Sequence, residues 1–579
     1  MKYPILSELT TKRELIDVFK GYNHNLRIGD GEFYEMTNLT SNDYPALSPR
    51  SLRGVYATPS IPQGLIAKDS LCYIDGGDFI IDEYRIPMGL TVDDTPKTLV
   101  SMGAYVIIMP DKKYINTTDF SDYGSIEATV TTTSPVTFSL CKLDGVEYDN
   151  VKTQTTEPEN PNNMDLWLDT STVPNSLKQY SSTNAMWVSI ATTYIKISAA
   201  GIGLPFAEND GVTISGIEIE ELADLNNTTI IWARGDNYII VTGVLKEAIS
   251  QETAITVARR MPNMDFIIES ENRLWGCHYG IALNGETVNE IYACKLGDFK
   301  NWNCFMGVST DSYVASVGTD GQFTGAITHL GYPLFFKETC VHKVYGNYPS
   351  NYHILTTTCR GVQKGCSRSL AIVNETLYYK SRSAVCAYDG SLPMEISSAL
   401  GDISYSDAVA GAIGNKYYIS MRDANGQYNL FVCDTLKGMW HREDHTQALE
   451  FCNCRGDLYY IDNSDKKIKA VRGTGTPETS LLKWEAITGI IGTDSPDKKY
   501  ISRLDVRLSL SYGARVIFFI QYDSVPGWEQ LFTMVGTTLK SFSVPIRPKR
   551  CDHLRLRIVG EGDAKIYSIC KTIEQGSDL

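Results

Sequence analysis

Between about residues 324 and 480, apolar and polar positions alternate in short runs, and the runs recur as units. The most apolar run of each unit is aromatic: Leu334-Phe335-Phe336, Leu377-Tyr378-Tyr379, Tyr417-Tyr418-Ile419 and Leu458-Tyr459-Tyr460. Successive starts lie roughly 40 to 45 residues apart, the spacing of repeats that hold several strands each. Alternation at period two predicts strands, and Gly, Asp and Asn between the runs predict tight turns. No single sheet of this kind buries both of its faces. The repeat therefore predicts a ring of sheets, a β-propeller.

The same rhythm is present earlier. Residues 70–87 carry Leu71-Cys72-Tyr73-Ile74, a Gly76-Gly77 turn and Phe79-Ile80-Ile81, and residues 99–119 carry Tyr105-Val106-Ile107-Ile108 before Pro110-Asp111. It resumes at Asp265-Phe266-Ile267-Ile268, with Leu274-Trp275-Gly276-Cys277 and Glu290-Ile291-Tyr292-Ala293 behind it. Counting units gives about seven blades, with six as the alternative. From 121 to 257 the rhythm fails and Thr-rich alternating runs replace it, which predicts a β domain inserted into a surface loop. Within it, Thr229-Ile230-Ile231-Trp232 and 238–241 read as a hairpin about the Gly235-Asp236-Asn237 turn.

After about 478 the alternating runs 499–509, 514–522, 541–546, 553–559 and 565–568 predict a C-terminal β-sandwich. The opening residues read as extended segments with one short helix at 11–19, where Leu15, Val18 and Phe19 share a helical face. The expected organisation is all-β. Residues 1–50 form an extended segment completing the propeller, 51–120 the first blades, and 121–257 the inserted domain. Residues 258–478 form the remaining blades and 479–579 the sandwich.

Composition agrees: of 579 residues, 34 are Tyr and 18 Phe, types that favour strands. The net charge of −15 argues against a general nucleic-acid binder, which needs a basic face. The 14 Cys contain no Cys-x-x-Cys pair, and Cys452 with Cys454 is the one close pair, so reduced, buried thiols are expected. Residues 1–20 show no signal-peptide pattern, and no apolar run reaches the ~18 residues of a membrane span. Synthesis in a host cytoplasm is the expectation.

Candidate chemistry is sparse. Ser309-Thr310-Asp311 and Gly318-Thr319-Asp320-Gly321 approach a sialidase-type repeat but lack its tryptophan, and read as turns. Asp462-Asn463-Ser464-Asp465 and Asp75-Gly76-Gly77-Asp78 have oxygen ligands without the closing Glu of a calcium loop. His441 and His445 lie four apart beside Trp440, on a strand and not on a helical metal face. No metal, cofactor or catalytic set is expected, and the chain reads as a non-enzyme. One charge cluster stands out: Arg547, Lys549, Arg550, Arg555 and Arg557, a candidate docking patch for an acidic neighbour or for DNA phosphates.

Several blocks carry a resemblance. They are Arg27-Ile28-Gly29-Asp30-Gly31-Glu32-Phe33 with Asn38-Leu39, Ser41, Tyr44-Pro45 and Ser48-Pro49-Arg50; Lys295-Leu296-Gly297-Asp298 to Trp302; Leu330-Gly331-Tyr332-Pro333 to Ser350; and 547–560 with the terminal Glu574-Gln575-Gly576-Ser577. Over nearly its whole length the chain resembles virion structural proteins of phages infecting gut Firmicutes. Among these are β-propellers likened to packaged-DNA stabilisation, head-completion (tail accessory) proteins. The resemblance implies a non-enzymatic part of the neck, closing the head on the portal–tail axis and stabilising packaged DNA. Its implied partners are portal, adaptor or tail proteins, copies of itself in a ring, and DNA at the exit channel; its implied location is the virion. The alternative is a distal tail or receptor-recognition protein that binds host-surface glycan, for which Trp167, Trp187 and Trp528 are candidates.

Overall fold

A computed structural model describes residues 10–575 apart from 94–95, 134, 282–284, 479–480 and 495–496; the terminal Gly576-Ser577 of the resemblance lies outside the described residues. The architecture is all-β, with helix confined to short 3-10 turns among the described residues.

Six antiparallel meanders of four strands run in chain order, five of them sheets of their own and the sixth part of a larger sheet. They begin with Pro62–Ala67, Thr98–Met102, Phe266–Ser270, Gly325–His329, Ala371–Val373 and Tyr405–Ile413. A seventh begins with Ala448–Cys454 and contributes Asp457–Asp462 and Ile468–Ala470; its fourth strand is Gly54–Ala57, from the other end of the chain. Each aromatic run found in the sequence is the second strand of its sheet, for example Leu334 to Phe336 within Tyr332–Lys337. These runs are apolar at consecutive positions because neighbouring sheets cover both faces, and Leu334, Phe335 and Phe336 are all fully buried.

The first strands pack on one another in order. Pro62–Ala67 meets Thr98–Met102, which meets Phe266–Ser270, and so on to Ala448–Cys454, which meets Pro62–Ala67 again. Between the fourth and fifth sheets the contact is made by the turn Ser367–Ser369. Local turn chemistry supports this repetition. Leu330-Gly331, Asn374-Glu375 and Arg455-Gly456 all have positive φ at both residues, as a two-residue turn matched to strand twist requires.

The inserted segment leaves after Tyr123–Ser125 and returns at Thr256–Arg259, whose partner is Ala128–Thr131, so its two ends pair with each other. Two of its three sheets share a core of their own, including Phe138, Ile195, Ile197, Val212, Ile214, Ile239 and Val257. The hairpin expected at 229–241 is different in the structure. Thr228–Ile230 pairs with Gly211–Ser215 in one sheet, while Ala233–Gly235 pairs with Tyr238–Thr242 in the other. The chain crosses between layers at Ile231 and Trp232, because Ile231 is needed in the shared core.

The C-terminal strands do not form a sandwich set apart. The chain residues 499–522 make one 24-residue strand, Lys499–Tyr522. Its first half pairs with Ala564–Gln575 and its second half with Leu554–Glu561. Pairing continues through Lys483–Thr488, Glu32–Thr37 and Gly21–Tyr22 into Met439–Asp444 of the sixth meander. The result is one twelve-stranded sheet that joins ring and C-terminus. The expected helix at 11–19 is the strand Thr10–Ile16, paired residue by residue with the last strand. A helix would have left that long edge unpaired, and Leu15, one of the supposed face residues, is exposed.

Candidate functional site

Two regions gather chemistry: a cavity where first strands start and the face of the C-terminal sheet. The cavity, of about 280 Å³, is lined by Pro96, Gly365, Arg368, Asp407, Tyr428 and Gln447 among others. Arg368 spans it. Its Nη1 donates to the Leu449 carbonyl at 3.2 Å and its Nη2 to the Pro96 carbonyl at 2.8 Å. One guanidinium thus ties the lead-in of the fifth sheet to the first strand of the seventh and to the lead-in of the second.

Next along the strand from Leu449, Glu450 reaches across to the first sheet, where its carboxylate accepts the Leu65 N–H at 2.9 Å. Burial pushes the carboxyl up to about 7, against the opposing pull of Arg368 and the Leu65 N–H. Asp407 stands at a bulge in the sixth sheet's first strand, with φ of 47° and an ion pair to Arg422 at 2.6 Å. Bulges and left-handed non-glycine residues re-aim side chains, and they cluster at functional positions. Chemically, Glu450 is a carboxyl able to hold or release a proton near neutral pH, within the field of the Arg368 cation. Sequence reasoning missed Arg368, Glu450 and Asp407, which belong to separate repeats. The one local signal was an acid inside an otherwise apolar first strand.

The predicted patch divides. Arg547, Lys549 and Arg550 lie on the exposed lead-in to Leu554–Glu561, with Lys549 over the Tyr522 ring. Arg555 and Arg557, two apart, share one face of that strand. Arg557 pairs with Glu485 at 2.5 Å and lies over Phe519 and Trp528; Arg555 lies 5.0 Å over Tyr34. Both therefore have intramolecular partners. On the far edge of Lys499–Tyr522 from that strand runs Glu529–Val544, which, among the described residues, has no strand on its other edge. Val535 is 68% exposed and Leu539 58%.

The remaining candidates are structural. Asp462 accepts from Ser464 and from Lys469, closing a turn. His441 is buried, and burial pushes it down to about 3, while His445 bonds the Tyr428 carbonyl. All fourteen cysteines are free, twelve of them buried. No helix among the described residues is long and apolar enough to cross a membrane.

No protein-family model matches the chain, and no curated protein sequence matches it. Solved structures do. An exo-β-1,3-galactanase from Phanerochaete chrysosporium matches at 9% identity over 53% of this chain and 94% of that one, with a TM-score of 0.22. A glycoside hydrolase of family 43, engineered for endo-xylanase and exo-arabinofuranosidase activity, matches at 8% over 54% and 96%, with a TM-score of 0.21. Trypanosoma rangeli sialidase matches at 9% over 97% and 95%, with a TM-score of 0.18. These neighbours are enzymes, and the expectation that the chain is a non-enzyme is corrected on that finding. Likeness this weak carries no activity or substrate to the present chain.

Proposed function

We propose that the seven sheets form a closed seven-bladed β-propeller and that the chain is a structural part of a phage virion neck. In this reading it docks on the portal–tail axis beside copies of itself and portal, adaptor or tail proteins. It helps to close the head and stabilise packaged DNA. The ring order of first-strand contacts, returning to Pro62–Ala67, supports the closed propeller. The resemblance of its sequence blocks supports the virion.

One observation carries the assembly role. Glu529–Val544 is a sixteen-residue edge strand with Val535 and Leu539 exposed and basic residues following it. A long, open edge bearing apolar side chains is an aggregation hazard in a free protein, and is stable when an assembly partner covers it. The test is complementation of phage lacking this gene with a Val535→Lys, Leu539→Lys variant. The purified variant should melt at the wild-type temperature yet be missing from particles. A parallel Arg550→Glu, Arg555→Glu variant should enter particles less efficiently. Normal incorporation of the lysine variant would defeat the assembly reading.

A further inference from the structure

Residues 152–189 of the insertion form a small four-stranded sheet of their own: Lys152–Gln154, Leu166–Asp169, Ser176–Ser181 and Met186–Ser189. Register sets its faces. Trp167 is opposite Lys178 and Tyr180 is opposite Trp187; paired residues share a face, as do residues two apart. Trp167, Lys178, Tyr180 and Trp187 therefore stand together on one side. Leu168 and Leu177 point to the other side and are buried there.

On the aromatic side the rings are in contact. Trp187 meets Trp167 edge-on at 5.5 Å and Tyr180 at 5.3 Å. The Lys178 ammonium lies 4.6 Å over Trp167. Trp167 is held from below by its own indole N–H, which donates to the Gln154 carbonyl. Trp187 and Tyr180 are half-buried, and the Trp187 Nε1 has no hydrogen-bond partner. None of these side chains belongs to the core shared by the insertion's other two sheets, so the cluster is not needed to hold those sheets together.

The charges on this sheet are internally compensated: Lys178 pairs with Asp169 at 2.8 Å and Lys152 with Asp165 at 3.7 Å. We propose that this aromatic face is a binding site for a neutral saccharide unit of a cell-surface glycan. A pyranose has one apolar C–H face that stacks on an aromatic ring, and a rim of hydroxyls that bond to groups beside it. Trp187 and Tyr180 supply the rings; Lys178, Asp169 and the exposed Ser189, which faces Lys178 across the strands, supply polar partners. Paired charge leaves no net field to favour a phosphate or an acidic sugar.

The experiment uses the full chain on a panel of immobilised neutral and sialylated glycans, with Trp187→Ala, Trp187→Phe and Trp528→Ala variants alongside. Wild type should bind a subset of neutral glycans, with affinity unchanged at high salt. Trp187→Ala should weaken binding at least about tenfold, a loss of about 1.4 kcal/mol, and Trp187→Phe, which keeps an aromatic ring and the packing, should weaken it less. Trp528→Ala, whose ring lies under Arg557 of the C-terminal sheet and outside this cluster, should bind as wild type. Any one of three results overturns the proposal: no binding to any neutral glycan, undiminished binding by Trp187→Ala, or binding confined to sialylated glycans and abolished by salt.

Discussion

Glu450 shows what the convergence of repeats does to one side chain. In an exposed strand its carboxyl would ionise near 4.5, but burial between the seventh and first sheets moves it to about 7. The folded state therefore holds the proton more tightly than the unfolded state between those values. Its stabilising contribution is complete below about pH 4.5 and is lost as pH rises through 7. Replacing it by Gln should leave stability near wild type at pH 5. At pH 8 the variant should be the more stable by about 3 kcal/mol. Urea unfolding at both pH values checks this, and a difference that does not change with pH would show that Glu450 is not buried between these sheets. Arg53 is the opposite case, a buried cation whose partners Glu443 and Asp444 lie at 2.7 and 2.8 Å. Despite the cost of burial, Arg53 holds Asp444 at about 2, and the pair fastens the residues that lead into the closing strand.

That closing strand, Gly54–Ala57, is four residues long and sits between Ile468–Ala470 and Thr476–Pro477. Its short length makes backbone fit decisive. A Cβ on Gly54 would lie 2.3 Å from the Thr474 carbonyl oxygen and 2.7 Å from the Gly473 carbonyl, both backbone atoms that cannot swing aside. Gly54→Val should therefore expel the strand, lower stability by about 3 kcal/mol and expose the amides of Ile468–Ala470 to fast hydrogen exchange. Wild-type protection at those amides would show that the strand is dispensable for closure. The second strands were legible in the sequence because burial on both faces demands continuous apolar residues. The closing strand was not, since Gly-Val-Tyr-Ala carries no pattern of its own and its partner is some 400 residues away. Thr10–Ile16 was misread for a related reason: seven residues fit a helical and a strand pattern alike, and the last strand of the chain decides between them.

Across the chain, separate cores are stitched by a few polar contacts. The insertion has its own core and touches the third sheet through Asn301, which is fully buried. The Asn301 side chain accepts from the Gly211 N–H at 3.1 Å and donates to the Asn209 carbonyl at 2.6 Å. The ion pair of Arg259 with Asp210, at 2.6 Å, lies beside it. Asn301→Ala would leave two buried backbone groups unmet, a cost of about 1–3 kcal/mol each. Limited proteolysis should then cut within 128–259 well before the remaining sheets, while near-simultaneous cleavage throughout would argue against a separately held insertion. The docking patch behaves in the same way. Its five basic residues were visible as a run of charge, but their division into an exposed lead-in and a stacked, paired couple depends on which strands flank Leu554–Glu561.

The sequence alone determined the all-β class and the period of the repeated strands. Each of these follows from local spacing or from the type of residue. Tertiary structure decided the strand that completes the seventh sheet, the single sheet running from the sixth meander to the C-terminus, and the approach of Arg368 to Asp407 in one cavity and to Glu450 beyond it. Those pairings join residues hundreds of positions apart, and they are selected by which edges and faces remain to be covered once the local strands have formed.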